Sequence, residues 1–354
     1  MISDTPATLD RPLKIAVDAM GGDLGPEVVV EGVLAAASNS TSDFILVGDK
    51  TALEQAIASR GSRPSNVFVR GTTQVILMSD QPAVAFRRKP DASLVVAARL
   101  VKAGEADALI SIGNTGAAMV VSLLTLGRIQ GVDRPAIATP LPTVDGGTVV
   151  LMDAGATVDC DPNNLYEFAL MGSVYSERVM GVAQPRVGLL SNGEEPQKGN
   201  DLVKRTHALL ADTLQDKPPF CFIGNVEGRE LFRGAADVVV CDGFVGNVTL
   251  KTAEGVAEMT MALIQQELKQ HLWTKLLAAP LIPTLRKLRR KIDYAERGGA
   301  PLLGLNGICI IGHGRSNARA VSNACAAAER AARQQVVDVI RCRISRAPSP
   351  PPSE

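Results

Sequence analysis

The stretch Ala106-Asp107-Ala108-Leu109-Ile110-Ser111-Ile112-Gly113-Asn114-Thr115-Gly116 decides the fold class. Its centre, 108–112, is an almost unbroken apolar run, which suits a strand buried on both faces of a mostly parallel sheet. The run ends in a glycine loop that opens a helical pattern over 115–126. Strand, glycine loop and helix in that order form the unit of a doubly wound α/β sandwich. A second segment repeats the pattern: Ala236-Asp237-Val238-Val239-Val240-Cys241-Asp242-Gly243-Phe244-Val245-Gly246. Either the two are internally related, or both show how α/β units are generically built.

Outward from these two segments, similar apolar runs predict strands at 13–17, 44–47, 67–69, 148–152, 186–190, 220–223 and 308–311. Helical patterns lie between them, among them 91–103, 162–179 and 200–214. The reading expects a single α/β domain over 12–342, with disordered ends at 1–11 and 343–354, both short, polar and proline-bearing.

One stretch breaks the rhythm. From 255 to about 296 the chain reads as a projecting helical hairpin, with apolar Leu276, Leu277, Leu281 and Ile282 followed by basic Arg286, Lys287, Arg289 and Arg290. It suits packing against a partner subunit. It also suits a membrane surface, the apolar residues entering the interface and the basic run meeting anionic lipid. Both can hold at once.

Composition narrows the class. The chain has 354 residues, 46% hydrophobic, with Lys+Arg and Asp+Glu balanced at 37 each. That balance and the 3% aromatic content argue against a nucleic-acid binder. The 6 cysteines contain no C-x-x-C pair and read as free thiols in a reducing compartment. With no leader-like start and no apolar run of spanning length, a cytoplasmic location is expected.

The chemistry is expected in loops at strand ends, which line the ligand crevice of a parallel sheet. The first is Asp18-Ala19-Met20-Gly21-Gly22-Asp23; the second is Asn114-Thr115-Gly116. A third holds Asn192, Glu194, Lys198 and Asn200, and a fourth holds Asn225 and Glu227. Asp242, Gly243, Gly246 and Asn247 follow the second copy of the pattern, and His313, Ser316 and Asn317 lie in the last loop. Glycine lets backbone N–H groups approach an anion, and a helix N-terminus adds positive potential. Thr115, Asn247 and Ser316 sit where helices should begin, so capping is their ordinary role. Lys198 is the best single loop cation, for phosphate or for a surface salt bridge. His313 alone among the histidines lies in a glycine loop and is the candidate proton donor. Arg87, Arg88 and Lys89 form a basic cluster that would suit an acidic protein partner. No G-x-G-x-x-G, G-x-x-x-x-G-K-S/T or G-x-S-x-G occurs, and no metal or organic cofactor is expected.

At these loops the chain resembles the PlsX-type phosphate acyltransferases of bacterial phospholipid synthesis. The residues that carry the resemblance are IAVDAMGGD (15–23), RRKPDAS (87–93), GNTGA (113–117), LPT (141–143), VDCDP (158–162), GLLSNGEE (188–195), KGN (198–200), FIGNVEGR (222–229), DVVVCDGFVGNVTLKT (237–252), GGAPLLGLNG (298–307) and IIGHGRSNA (310–318). The resemblance implies a three-layer α/β/α fold similar to the isocitrate and isopropylmalate dehydrogenases and to phosphotransacetylases. It also implies a homodimer with peripheral membrane association. The reaction implied moves a fatty acyl group from acyl carrier protein to inorganic phosphate, for a membrane glycerol-3-phosphate acyltransferase to use. Inorganic phosphate is already a nucleophile, so no enzymic serine or cysteine is needed; Lys198, Asn114, Asn247 and the glycine amides are expected to hold phosphate and oxyanion. Three alternatives are short-chain phosphotransacetylation, a β-decarboxylating dehydrogenase, and a non-catalytic membrane scaffold.

Overall fold

In the computed structural model, which describes residues 8–213, 220–269, 284 and 298–346, the first apolar run forms β1 (Lys14–Asp18). The other strands are β2 (Asp43–Gly48), β3 (Val67–Gly71), β4 (Ala108–Gly113), β5 (Ala136–Pro142), β6 (Thr148–Met152), β7 (Arg186–Ser191), β8 (Cys221–Glu227), β9 (Val238–Val240), β10 (Ala300–Leu303) and β11 (Ile308–His313). They join in one sheet, in the order β3-β2-β1-β4-β11-β10-β5-β6-β9-β7-β8.

Successive residues of a strand face opposite sides, and here both sides are apolar. Leu109, Leu151 and Val239 pack beneath α3 (Pro82–Arg88), α4 (Ser93–Lys102) and α5 (Thr115–Leu126). Their neighbours Ala108, Ile110 and Ile112 pack under α1 (Pro26–Ala37), α2 (Lys50–Ala58) and α9 (Ala318–Arg333). Val150, Met152, Val238 and Val240 meet α6 (Pro162–Met180), α7 (Asp201–Thr213) and α10 (Val336–Arg346). Each fully buried side chain of this size contributes about 1.5–3 kcal/mol relative to exposure.

β5 and β10 were not expected from the sequence. Pro140 and Pro142 break the apolar run of β5, and β10 contains Pro301 and is flanked by glycines. β10 pairs only with Ala136 and Ile137 of β5, so both prolines sit where β5 has a single partner and a missing N–H can face away from the ladder. The helix expected from 255 begins earlier, as α8 (Gly243–Lys269). Leu276, Leu277, Leu281, Ile282, Arg286, Lys287, Arg289 and Arg290 lie outside the described residues. α10 runs to Arg346, past the expected domain end at 342.

The sheet has two parallel halves. β3, β2, β1, β4 and β11 run one way. β10 is antiparallel to β11 and to β5, and β5 is antiparallel to β6, which runs with β9, β7 and β8. The halves therefore point in opposite directions. Ile311 pairs with Ala300, Leu302 with Ile137, and Ala138 with Met152. Through that register the carboxyl ends of β11 and β6 finish near one level, on either side of β10 and β5.

Candidate functional site

The carboxyl-end loops of the first half fit together through bare backbone. A Cβ on Gly113 would lie 2.2 Å from the Gly21 carbonyl oxygen, and one on Gly21 would lie 2.6 Å from that of Ile112. Only glycine permits this contact. The Asp23 N–H donates to the Gly314 carbonyl at 2.8 Å, tying the first loop to the last. Asp18 closes β1 and is buried; burial pushes its carboxyl up to about 6, against hydrogen bonds from Ser93 and the Met20 N–H.

The second half is organised around Asp153, which the sequence reading did not single out. It directly follows β6, as Asp18 ends β1, and that parallel was the available signal. Asp153 is fully buried and accepts the N–H groups of Ile137 at 2.8 Å, Gly155 at 3.1 Å, Ala156 at 2.8 Å and Thr157 at 2.6 Å. Burial raises its pKa while these donors pull the other way. Gly243 and Gly246 ride over it: a Cβ on Gly243 would stand 2.6 Å from its Oδ2, and one on Gly246 1.8 Å from its carbonyl oxygen. This brings Asn247 against Gly155.

Between the halves lies a cleft of about 110 Å³. Its polar lining comes from Thr115 at the start of α5, Asn247 and Lys251 on α8, and His313 and Ser316 after β11; Ile137, Thr139, Leu250, Ala300 and Ile311 add to the wall. Of the candidate residues, the structure therefore brings together Thr115, Asn247, His313 and Ser316. Sequence reasoning missed Thr139 and Ile137, because β5 was missed, and Lys251, because a helical lysine reads as a solvated face.

His313 accepts the Arg315 N–H on Nδ1 at 3.2 Å. That bond uses the Nδ1 lone pair, so the proton of the neutral ring sits on Nε2. Lys251 pairs with Glu254 at 2.8 Å, one helical turn on.

Other candidates have structural duties. Capping falls not to Thr115, Asn247 and Ser316 but to Asn114, Asp242 and Asn317, whose side chains accept from Ala117 at 3.0 Å, Val245 at 2.9 Å and Ala320 at 2.9 Å. The reason is geometric: a capping side chain must reach an N–H three residues on, and these residues stand that far before it. Asn200 caps α7 through Val203 at 2.9 Å. Gly22 and Gly116 lie in the first two loops without a forced contact.

Lys198 lies on the surface, apart from the cleft lining, its stem folded over Gly193. Its neighbours form a group of their own: Asn192 accepts the Gly199 N–H at 2.9 Å, Asn225 donates to the Glu195 carbonyl at 2.8 Å, and Arg229 bridges Glu227 at 2.6 Å and Glu194 at 3.7 Å. Arg87 and Arg88 are exposed at the end of α3, but Lys89 is half-buried, held by Asp80 at 2.5 Å and the Val75 carbonyl at 2.9 Å. Lys89 is thus part of the scaffold rather than a free basic side chain.

No activated thiol serves the cleft. Burial beside Asp153 and Asp242 pushes Cys160 up to about 12, and Cys241, Cys309 and Cys325 are buried with raised pKa values. Among the described residues, no His, Cys, Asp and Glu group is arranged to hold a metal ion, and no helix is long and apolar enough to cross a membrane.

A family model described as fatty acid synthesis protein matches residues 13–339. A phosphate acyltransferase of Heliobacterium modesticaldum is 50% identical over 331 residues, 93% of this chain and 97% of that one. Among solved structures, a phosphotransacetylase from Streptococcus pyogenes superposes with a TM-score of 0.65 at 15% identity, covering 92% of this chain and 95% of that one. A 4-hydroxythreonine-4-phosphate dehydrogenase from Klebsiella pneumoniae does so at 0.51 and 14% identity, covering 90% and 99%. These two likenesses concern the fold alone.

Proposed function

The chain belongs to the fatty acid synthesis protein family and is an acyltransferase, and on that premise we propose that it moves a fatty acyl group from acyl carrier protein to inorganic phosphate. The observation that carries this reading is the cleft itself. It gathers hydrogen-bond donors beside two helix starts together with the cation Lys251, and its described lining includes no cysteine. A site of that kind needs a nucleophile delivered as substrate, and phosphate is one.

In the proposed step a phosphate oxygen attacks the thioester carbonyl, forming a C–O bond and a tetrahedral oxyanion. Collapse breaks the C–S bond and releases the carrier thiolate, which takes up the proton that the hydrogen phosphate loses on acylation, giving acyl phosphate and the free thiol. Asn247, Thr115 and the Nε2–H of His313 donate to phosphate and oxyanion. Because the Arg315 N–H occupies Nδ1, Nε2 is the ring nitrogen left to face the substrate. Asp18, Asp23, Asn114, Asp242 and Asn317 hold the loops that frame this cradle, and Lys198 with Asn192, Asn200, Asn225 and Glu227 contributes from the neighbouring loops.

Carrier docking is proposed at Arg87 and Arg88, beside exposed Leu77, Met78 and Val84. The Asn114 side chain reaches the Leu77 and Met78 carbonyls, so this patch adjoins a loop that opens the cleft. We further take the chain to work as a homodimer at the inner face of an anionic membrane, to hand acyl phosphate to a membrane glycerol-3-phosphate acyltransferase, and to share the layering of the isocitrate and isopropylmalate dehydrogenases.

The test mixes the protein with acylated carrier protein. Free carrier thiol should appear only when inorganic phosphate is added. Thiol release without phosphate, or hydride transfer to a nicotinamide in its place, would sink the reading.

A further inference from the structure

We propose that Lys251 is the cation that binds phosphate in the cleft. This rests on the acyl-transfer reading above and adds the residue that recognises the anion.

Asn247, Leu250, Lys251 and Glu254 follow one another at helical spacing along a single face of α8. The first three all line the cleft. Among the described lining residues, Lys251 is the one lysine or arginine. The same wall carries Thr115, the first residue of α5, and Ser316, just ahead of α9. Two helix starts, which carry partial positive charge, thus border the space that Lys251 lines.

The ammonium is also held in place. Its partner Glu254 is mostly buried, and the second carboxylate oxygen, Oε1, is buried with no hydrogen-bond partner. With Oε1 unpartnered, the other oxygen's bond to Lys251 is the one polar contact of this partly buried carboxylate among the described residues, and it orients the ammonium. A lysine has three N–H donors, and the Glu254 bond uses one. The other two remain for a doubly charged phosphate, on a side chain that is half exposed. Lys198, by contrast, lies outside the lining.

The experiment measures inorganic phosphate binding by isothermal titration, and steady-state phosphate and acyl-carrier kinetics, for the intact protein, Lys251→Met and Lys251→Arg. Loss of a charge-assisted contact should weaken phosphate binding and raise the phosphate KM by about tenfold to hundredfold in Lys251→Met. The acyl-carrier KM should stay within about twofold, because the lysine meets the anion and not the carrier, and Lys251→Arg should recover most of the loss. An active intact protein alongside a Lys251→Met variant with unchanged phosphate KM overturns this inference and leaves the acyl-transfer reading standing. Absence of phosphate-dependent transfer in the intact protein removes both.

Discussion

The backbone amide of Arg315 donates to Nδ1 of His313 at 3.2 Å, so the imidazole faces its surroundings with a protonated Nε2. We take this Nε2–H as a hydrogen-bond donor to developing negative charge, in place of the proton-donor role expected from the sequence. His313→Ala should lower kcat/KM by about a hundredfold to a thousandfold, the usual cost of one oxyanion donor. His313→Gln keeps an N–H at similar reach and should recover part of that loss. Equal damage in both variants would count against the donor role.

Carrier docking separates neighbours in the basic cluster. Arg87→Glu with Arg88→Glu should raise the acyl-carrier KM several-fold at low salt, and the difference should shrink as salt is added. Lys89→Ala should instead lower stability, since its ammonium is tied to Asp80 and the Val75 carbonyl. Denaturant unfolding of the three variants, beside their kinetics, checks the division.

Lys198→Ala tests the loops beside the cleft. If the 191–200 loop reaches phosphate when the site is loaded, its phosphate KM should rise about tenfold. Unchanged phosphate kinetics would take Lys198 out of the site.

Two glycines on one helix should respond in opposite ways. Gly246→Ala places a methyl 1.8 Å from the Asp153 carbonyl oxygen and should destabilise by about 1–3 kcal/mol with loss of activity. Gly255→Ala meets nothing within 4 Å and should stabilise by about 0.5–1 kcal/mol. Thermal unfolding gives both signs at once, and a destabilised Gly255→Ala would mean that this face of α8 is not free.

Asp18 gives stability a pH dependence. Its carboxyl is raised from 3.8 to about 6, so between those values the unfolded chain releases a proton that the folded chain keeps. Stability therefore falls as pH rises across that window and levels off above it. The gap of about two units corresponds to ~3 kcal/mol. Asp18→Asn should flatten the urea-unfolding profile between about pH 4 and pH 6; a variant with the parent's slope would place the titration elsewhere.

The sequence disclosed the elements that obey simple physics. β1, β4, β6 and β11 are unbroken apolar runs because helices cover both their faces, and that periodicity is visible in the letters alone. β5 and β10 are hidden for the opposite reason: they pair antiparallel where the halves meet, and prolines and glycines serve there. Asn114, Asn200 and Asn317 were found as polar loop residues, yet asparagine caps helices and binds ligands with the same atoms, so their duty shows only in the bonds they make. Lys251 and Asp153 could not be singled out because what matters about them is the neighbour each acquires on folding.

The junction between the halves is thinly stitched. β11 meets β4 along Ile308–His313, whereas β10 meets β11 through Ala300 and Pro301 and meets β5 through Leu302 and Leu303. The shortest ladders of the sheet thus run beside the cleft, whose wall includes Ala300. With so few pairs on either side, β10 can open locally while each half keeps its own core. Amide hydrogens of β10 should then exchange faster than those of β4, and phosphate should slow them.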